Sequence, residues 1–165
     1  MLEVGTRLDL KIDDVAYRGS GIARHEGLVT FVPRVAPGER IEAEITASKK
    51  NFAEARVIRL LETSPHRIPP CTSDADGASM PGCVYDFLAY PAEVEIKHRQ
   101  MLGLLRQIPG IQEVALPPFA SPRDLNYRNK IVLHVQRTGR DPANIGYYGE
   151  DNRTVVDVER CPLAC

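Results

Sequence analysis

Residues 7–15 read RLDLKIDDV, in which Leu8, Leu10 and Ile12 alternate with polar neighbours. A period of two sends successive side chains to opposite faces, so this stretch predicts a strand with one buried face. Working outward, residues 17–27, YRGSGIARHEG, carry three glycines around Ile22 and Ala23, which predicts a bend or bulge followed by a turn. Residues 28–33, LVTFVP, form a compact apolar strand, and residues 36–50, APGERIEAEITASKK, open on a Pro-Gly turn before Ile41, Ala43 and Ile45 alternate. Residues 52–62, FAEARVIRLLE, supply a last strand. Five short strands at about ten-residue spacing predict a small closed barrel of the OB type.

Beyond it, Pro65, Pro69 and Pro70 punctuate the chain and set the expected boundary between a first domain, 1–62, and a second, 63–165. Residues 90–110, YPAEVEIKHRQMLGLLRQIPG, predict the one substantial helix. Pro91 suits its first turn, Pro109-Gly110 stops it, and Val94, Met101, Leu105 and Ile108 make the expected buried stripe. A proline-rich connector, PPFASPRD at 117–124, leads to three predicted strands in 127–137, 144–148 and 154–161. The expected class is mainly β with α+β: an OB-like barrel, then a small α+β domain with one main helix and an antiparallel sheet.

With 165 residues, 43% hydrophobic, the chain can build two modest cores. It contains no run of about 18 apolar residues, so no membrane span is predicted. The opening MLEVGTRLDLKIDDV has acids where a signal peptide has its apolar stretch, which predicts a cytoplasmic protein. In that compartment clustered cysteines more often hold metal than form disulfides. Net charge is -1, so any attraction to nucleic acid has to come from a local basic surface. The four cysteines fall in two pairs beside proline or glycine, Cys71 with Cys83 and Cys161 with Cys165. Four buried thiols without a ligand is the plain reading. A shared site for zinc or a [4Fe-4S] cluster is the sharper one, and spacing does not choose between the two metals.

The order YRGSGIARHEGLVTFVPRVAPGERIEAEI, SPHRIPPC, GC, YRNKIVLHV, IGYY and VVDVERCPLA resembles the bacterial RNA uracil-C5 methyltransferases over essentially the whole chain. The resemblance implies that residues 1–62 are a TRAM domain, an OB-like RNA-binding barrel. It also implies that the second domain is of the type holding a [4Fe-4S] cluster by C-x5-C-x2-C and a distant cysteine before proline. Cys71 resembles the first ligand, Cys83 the third and Cys161 the fourth, while Met80 stands where the second is expected and the loop is longer than usual. A thioether brings no charge to iron. The cluster then has three protein ligands, or Cys165 supplies the missing one, or the site takes zinc or nothing. The family's S-adenosylmethionine-binding catalytic domain, with its nucleophilic cysteine, is expected to be absent from these residues, and no catalytic residue is assigned.

For RNA, Arg18 and Arg24 with Lys49, Lys50, Arg56, Arg59 and Arg67 are expected to form a basic strip on the barrel, with Tyr17, Phe31 and Phe52 as stacking faces. The glycine bend between Arg18 and Arg24 is read as an opening for a phosphate or base. For Phe31 a place in the core is the competing reading. In the second domain Arg128 and Lys130, in the family-like YRNK, either guide RNA or line the solvent side of an ordinary strand. The expected function is recognition of rRNA or tRNA for methylation, with no DNA or membrane partner. The rival is a stand-alone metal-binding structural or redox module.

Overall fold

A computed structural model describes residues 2–70, 80–137, 139, 142–149 and 151–165. They cluster into two compact units: the chain up to Pro69 together with Phe87–Ala120, and Pro70–Asp86 together with Ser121–Cys165. The main helix therefore belongs to the unit of the barrel, although the sequence sets it beyond the proline-marked boundary.

In the first unit, β1 (Arg7–Val15), β2 (Ser20–His25), β3 (Leu28–Pro33), β4 (Arg40–Ser48) and β5 (Phe52–Glu62) close into a barrel in the order β1-β2-β3-β5-β4. All neighbours are antiparallel except β3 and β5. The five strands lie where alternation puts them. Leu10, Ile12, Ala23, Val32, Ile41, Ala43, Ile45, Ala53 and Ala55 point inward and form the core, joined by Val35 from the β3–β4 connection. Each fully buried Ile, Leu or Val stabilises by about 1.5–3 kcal/mol.

The glycine-rich stretch differs from its expected form. Ser20–His25 is a strand paired with β3 over all six residues, and the irregularity falls in β1, between Ile12 and Asp14. Gly21 faces inward, and a Cβ there would stand 2.2 Å from Val35 Cγ2 and 3.2 Å from the Val32 carbonyl oxygen. The space that the missing side chain leaves is filled by the protein's own core.

Helix α1 (Tyr90–Leu104) has proline in its first turn and ends at Leu105, before Pro109-Gly110; a four-residue helix α2 (Ile111–Val114) follows. Its buried residue is Ile96, outside the predicted stripe; Met101 is 40% and Ile108 51% exposed and Val94 and Leu105 are half-buried, so the predicted stripe packs only in part. Polar contacts explain the difference. The Gln100 amide donates to the carbonyls of Val15 and Ala16, at 2.8 and 3.0 Å, and Arg99 pairs with Asp14 at 2.9 Å. The helix face toward the end of β1 is therefore partly polar, and hydrophobic periodicity does not register it.

The second unit holds a three-stranded antiparallel sheet, β6 (His134–Gln136), β7 (Asn144–Tyr148) and β8 (Val155–Asp157), in that order. The predicted 127–137 strand shrinks to β6. Its first part pairs instead with the C-terminal residues: Arg128 N–H donates to the Leu163 carbonyl at 2.8 Å, and Cys165 N–H to the Arg128 carbonyl at 3.0 Å.

Candidate nucleic-acid interface and cysteine cluster

On the barrel, inward residues fix what faces outward. Gly21, Ala23, Thr30, Val32 and Ala53 are buried, so Ile22, Arg24, Val29, Phe31 and Phe52 stand on the outer side of β2, β3 and β5. Register brings them together: Ile22 opposes Phe31, Arg24 opposes Val29, and Val29 opposes Phe52. The Phe31 and Phe52 rings meet edge to face at 5.7 Å, both half-buried. Phe31 is thus an outward residue, and the core reading of it does not hold. The strand alternation that carries Val32 inward necessarily carries Phe31 outward.

The turns at the two ends of this face carry cations. Lys49 and Lys50 lie in the β4–β5 turn beside the start of β3, and Arg18 in the β1–β2 turn beside its end. A six-residue strand separates the two turns by about 20 Å, so Arg18 and the lysine pair mark opposite ends rather than one patch. Among the described residues none of the three has an ion-pair partner. Arg18 is held at φ +76, a left-handed conformation.

Most of the remaining basic residues of the barrel are matched with acids, Lys11 on β1 being without an ion pair among the described residues. Arg24 pairs with Asp13 at 3.3 Å and Arg56 with Glu44 at 2.9 Å, while Arg59 pairs with Glu42 at 3.4 Å. Arg40 bridges Asp9 and Glu62 at 2.6 and 3.3 Å, which holds the Asp9 carboxyl below its ordinary range through the hydrogen bond and charge of that guanidinium. The β1–β4–β5 wall is therefore laced with exposed pairs and presents little net field. Arg67 is used differently. Its guanidinium holds the wholly buried Glu39 carboxylate with two hydrogen bonds, one of 2.8 Å, and donates to the Arg34 carbonyl at 2.8 Å.

In the second unit, Met80, Cys83 and Leu163 form a buried cluster against which Cys161 and Tyr147 pack. The Tyr147 hydroxyl donates to Cys161 Sγ at 3.3 Å. Burial pushes the Cys161 thiol up. Hydrogen bonds from Tyr147 and from the Leu163 and Ala164 N–H groups, with the Arg128 charge, outweigh it and hold the thiol below its ordinary value. The same bond, with burial, pushes the Tyr147 hydroxyl up to about 12. Cys165 is exposed and its thiol donates to the Arg128 carbonyl at 3.3 Å. Cys71 lies outside the described residues. Among those described, no three His, Cys, Asp or Glu side chains are gathered as metal ligands. Cys83 and Cys161, with donors to one sulfur, suit part of a thiolate site and do not complete one. Arg128 lies over the Tyr127 ring at 5.7 Å, and Lys130 is exposed with no ion pair among the described residues. No helix of the described residues is long and apolar enough to cross a membrane.

Sequence alone missed which cations are neutralised, because pairing depends on register across β1, β4 and β5. It also missed Tyr147 as the partner of Cys161, for which IGYY gives no spacing signal.

Comparison with known proteins adds four findings. Residues 2–58 match the TRAM domain family. An uncharacterized RNA methyltransferase of Bdellovibrio bacteriovorus is 38% identical over 160 residues, covering 96% of this chain and 39% of the relative. One of Synechocystis sp. is 34% identical, with 96% and 34% covered. The chain thus spans little more than a third of the length of the curated relatives it matches. The fold is similar to that of Pyrococcus abyssi tRNA (uracil-54, C5)-methyltransferase, with a TM-score of 0.58 and 22% identity, over 93% of this chain and 32% of that one.

Proposed function

We propose that this chain, whose residues 2–58 match the TRAM domain family and which is similar to RNA methyltransferases over 96% of its length, grips RNA with its barrel and positions a uridine of rRNA or tRNA for methylation at C5. The methyl transfer itself, from S-adenosylmethionine, is proposed for the part of the relatives' length that these 165 residues do not span. The observation that carries this reading is the outward Phe31–Phe52 pair, set between turns whose cations have no ion-pair partner among the described residues. Aromatic rings stack on bases at about 1–3 kcal/mol per base, and lysines in flanking turns meet phosphates without reading sequence. Arg24, in register with Val29, is the cation on the face itself, and its exposed pair with Asp13 is weak enough for a phosphate to replace. Arg56, tied to Glu44, contributes little. Arg128 and Lys130 are proposed as auxiliary contacts in the second unit.

The test is the affinity of the chain for a 12-nucleotide oligouridine across a salt series. Lys49→Ala with Lys50→Ala is expected to lower the slope of log K against log salt by about 1.4, at ~0.7 per phosphate contact on a single strand. Absence of binding at low salt would rule the reading out and leave the rival, a metal-binding structural or redox module.

We propose also that Cys83 and Cys161, with Cys71, hold a [4Fe-4S] cluster, and that Cys165 is the candidate fourth ligand. The packing of Cys161 against the buried cluster that contains Cys83, and the donors to its sulfur, support this. Bound there, a cluster would staple the segment that carries Cys71 and Cys83 to the C-terminal residues. Anaerobic purification with iron and sulfide analysis tests it. Iron with sulfide supports the cluster, zinc alone replaces it by a structural site, and neither refutes it. Full iron and sulfide in Cys165→Ala would remove Cys165 from the ligand set.

A further inference from the structure

At the end of β3 the barrel surface opens into a cavity of about 310 Å³, lined by Pro33, Arg34, Val35, Val57, Leu60 and Arg67. Its walls are of two kinds. Pro33, Val35, Val57 and Leu60 are apolar, and Val57 and Leu60 remain 37% exposed, so the apolar wall is open to solvent. The other wall carries two guanidinium groups beside the buried Phe87 ring, Arg67 at 5.4 Å from its centroid and Arg34 at 6.0 Å. Arg67 cannot swing away, because Glu39 and the Arg34 carbonyl hold its fork. Its charge is matched by Glu39, so what it offers a ligand is a fixed planar surface.

We propose that this cavity is a single-nucleotide pocket that takes one unstacked RNA base. The inference rests on the RNA-binding reading above and deepens it. Three observations choose this occupant. The lining joins apolar side chains to a fixed guanidinium plane, and unstacked single-stranded bases are received by apolar contact and by arginine planes. The volume lies at the small end of ligand sites, which run from about 300 to 1,000 Å³, enough for one nucleotide and not for a stacked pair. The cavity also borders the outer face of β3 at Pro33, which follows Phe31 by two residues on the same side, about 7 Å along the strand, and from there runs inward to Val35 and Val57. Stacked nucleotides advance about 3.4 Å, so a strand lying on Phe31 reaches the cavity by unstacking the next base.

The test compares the whole chain with Val57→Trp, which fills the cavity from a partly exposed position. The readout is oligouridine affinity at fixed low salt. The variant is expected to bind about tenfold more weakly with the same salt slope, the loss of one stacked base and no phosphate. A second measurement leaves the protein unaltered. Uridine 5′-monophosphate at millimolar concentration is expected to shift the Val57 and Leu60 methyl resonances, and inorganic phosphate is not. If oligouridine binds but Val57→Trp binds equally well, or the nucleotide leaves those methyls unmoved, the pocket is refuted while the RNA-binding reading stands. If oligouridine does not bind at all, both fall together.

Discussion

Glu39 is wholly buried, and Arg67 is the cation that neutralises it. Removing one partner of such a pair strands the other charge in a low dielectric, which is far worse than the pair itself is good. Arg67→Met is therefore expected to destabilise the first unit by about 3 kcal/mol, read as a lower urea midpoint with an unchanged m-value. Gly146 tests the second unit in the same way. A Cβ there would lie 1.8 Å from the Val156 carbonyl oxygen, backbone that cannot yield without unpairing β7 from β8. Gly146→Ala should abolish amide-exchange protection at Tyr147, which pairs with Val156 between the bonded 145/158 and 149/154 pairs, and leave the barrel strands protected. Glu54 opposes Phe31 in register and is the acid beside the aromatic pair. Glu54→Gln is expected to tighten oligouridine binding severalfold at low salt, and an unchanged affinity would place the strand elsewhere.

At the scale of elements, α1 separates what periodicity reveals from what it hides. The start of the helix was legible in Tyr90-Pro91, because proline suits a first turn and few other places in a helix. Its packed face was not, because Gln100 and Arg99 make polar contacts on it and leave Ile96 as the single buried apolar residue. Ile96→Ala is expected to cost about 2–4 kcal/mol, and Met101→Ser, on the exposed stripe the sequence favours, no more than about 0.5. The 149–154 turn joining β7 to β8 depends on Asp151. Its carboxylate accepts the Thr154 hydroxyl at 2.6 Å and the N–H groups of Thr154 and Arg153, each at 2.9 Å. These bonds hold its carboxyl below the ordinary 3.8. The sign follows: a lowered folded-state pKa stabilises above 3.8 and is lost as pH falls through the folded value. Exchange protection of Gly149 N–H, which donates to the Thr154 carbonyl, should therefore be flat above pH 5 and fall on acidification below about 4. Asp151→Ala should remove that pH dependence.

For the whole molecule, the barrel was legible because β1 and β4 alternate cleanly, β3 is a compact apolar run, and glycine or proline marks the turns from Gly19 to Gly38. The RNA-facing surface was legible only as a set of residue types. Arg18, Arg24, Lys49, Lys50 and Arg56 look alike in sequence. Barrel closure gives Arg56 an acid through the β4–β5 register, sends Arg18 to the far end, and leaves the lysines beside Phe52. Strand parity, which the same residues encode, turns Phe31 outward. The account therefore predicts one working face on the barrel, β2–β3–β5, and one electrically quiet face, β1–β4. Ultraviolet cross-linking of the whole chain to oligouridine, with the linked peptides mapped by mass spectrometry, distinguishes them most directly. Links are expected in residues 17–34 and 49–60, with Phe31 and Phe52 foremost. Links concentrated in residues 7–11 and 40–44, with none at either phenylalanine, would contradict the account.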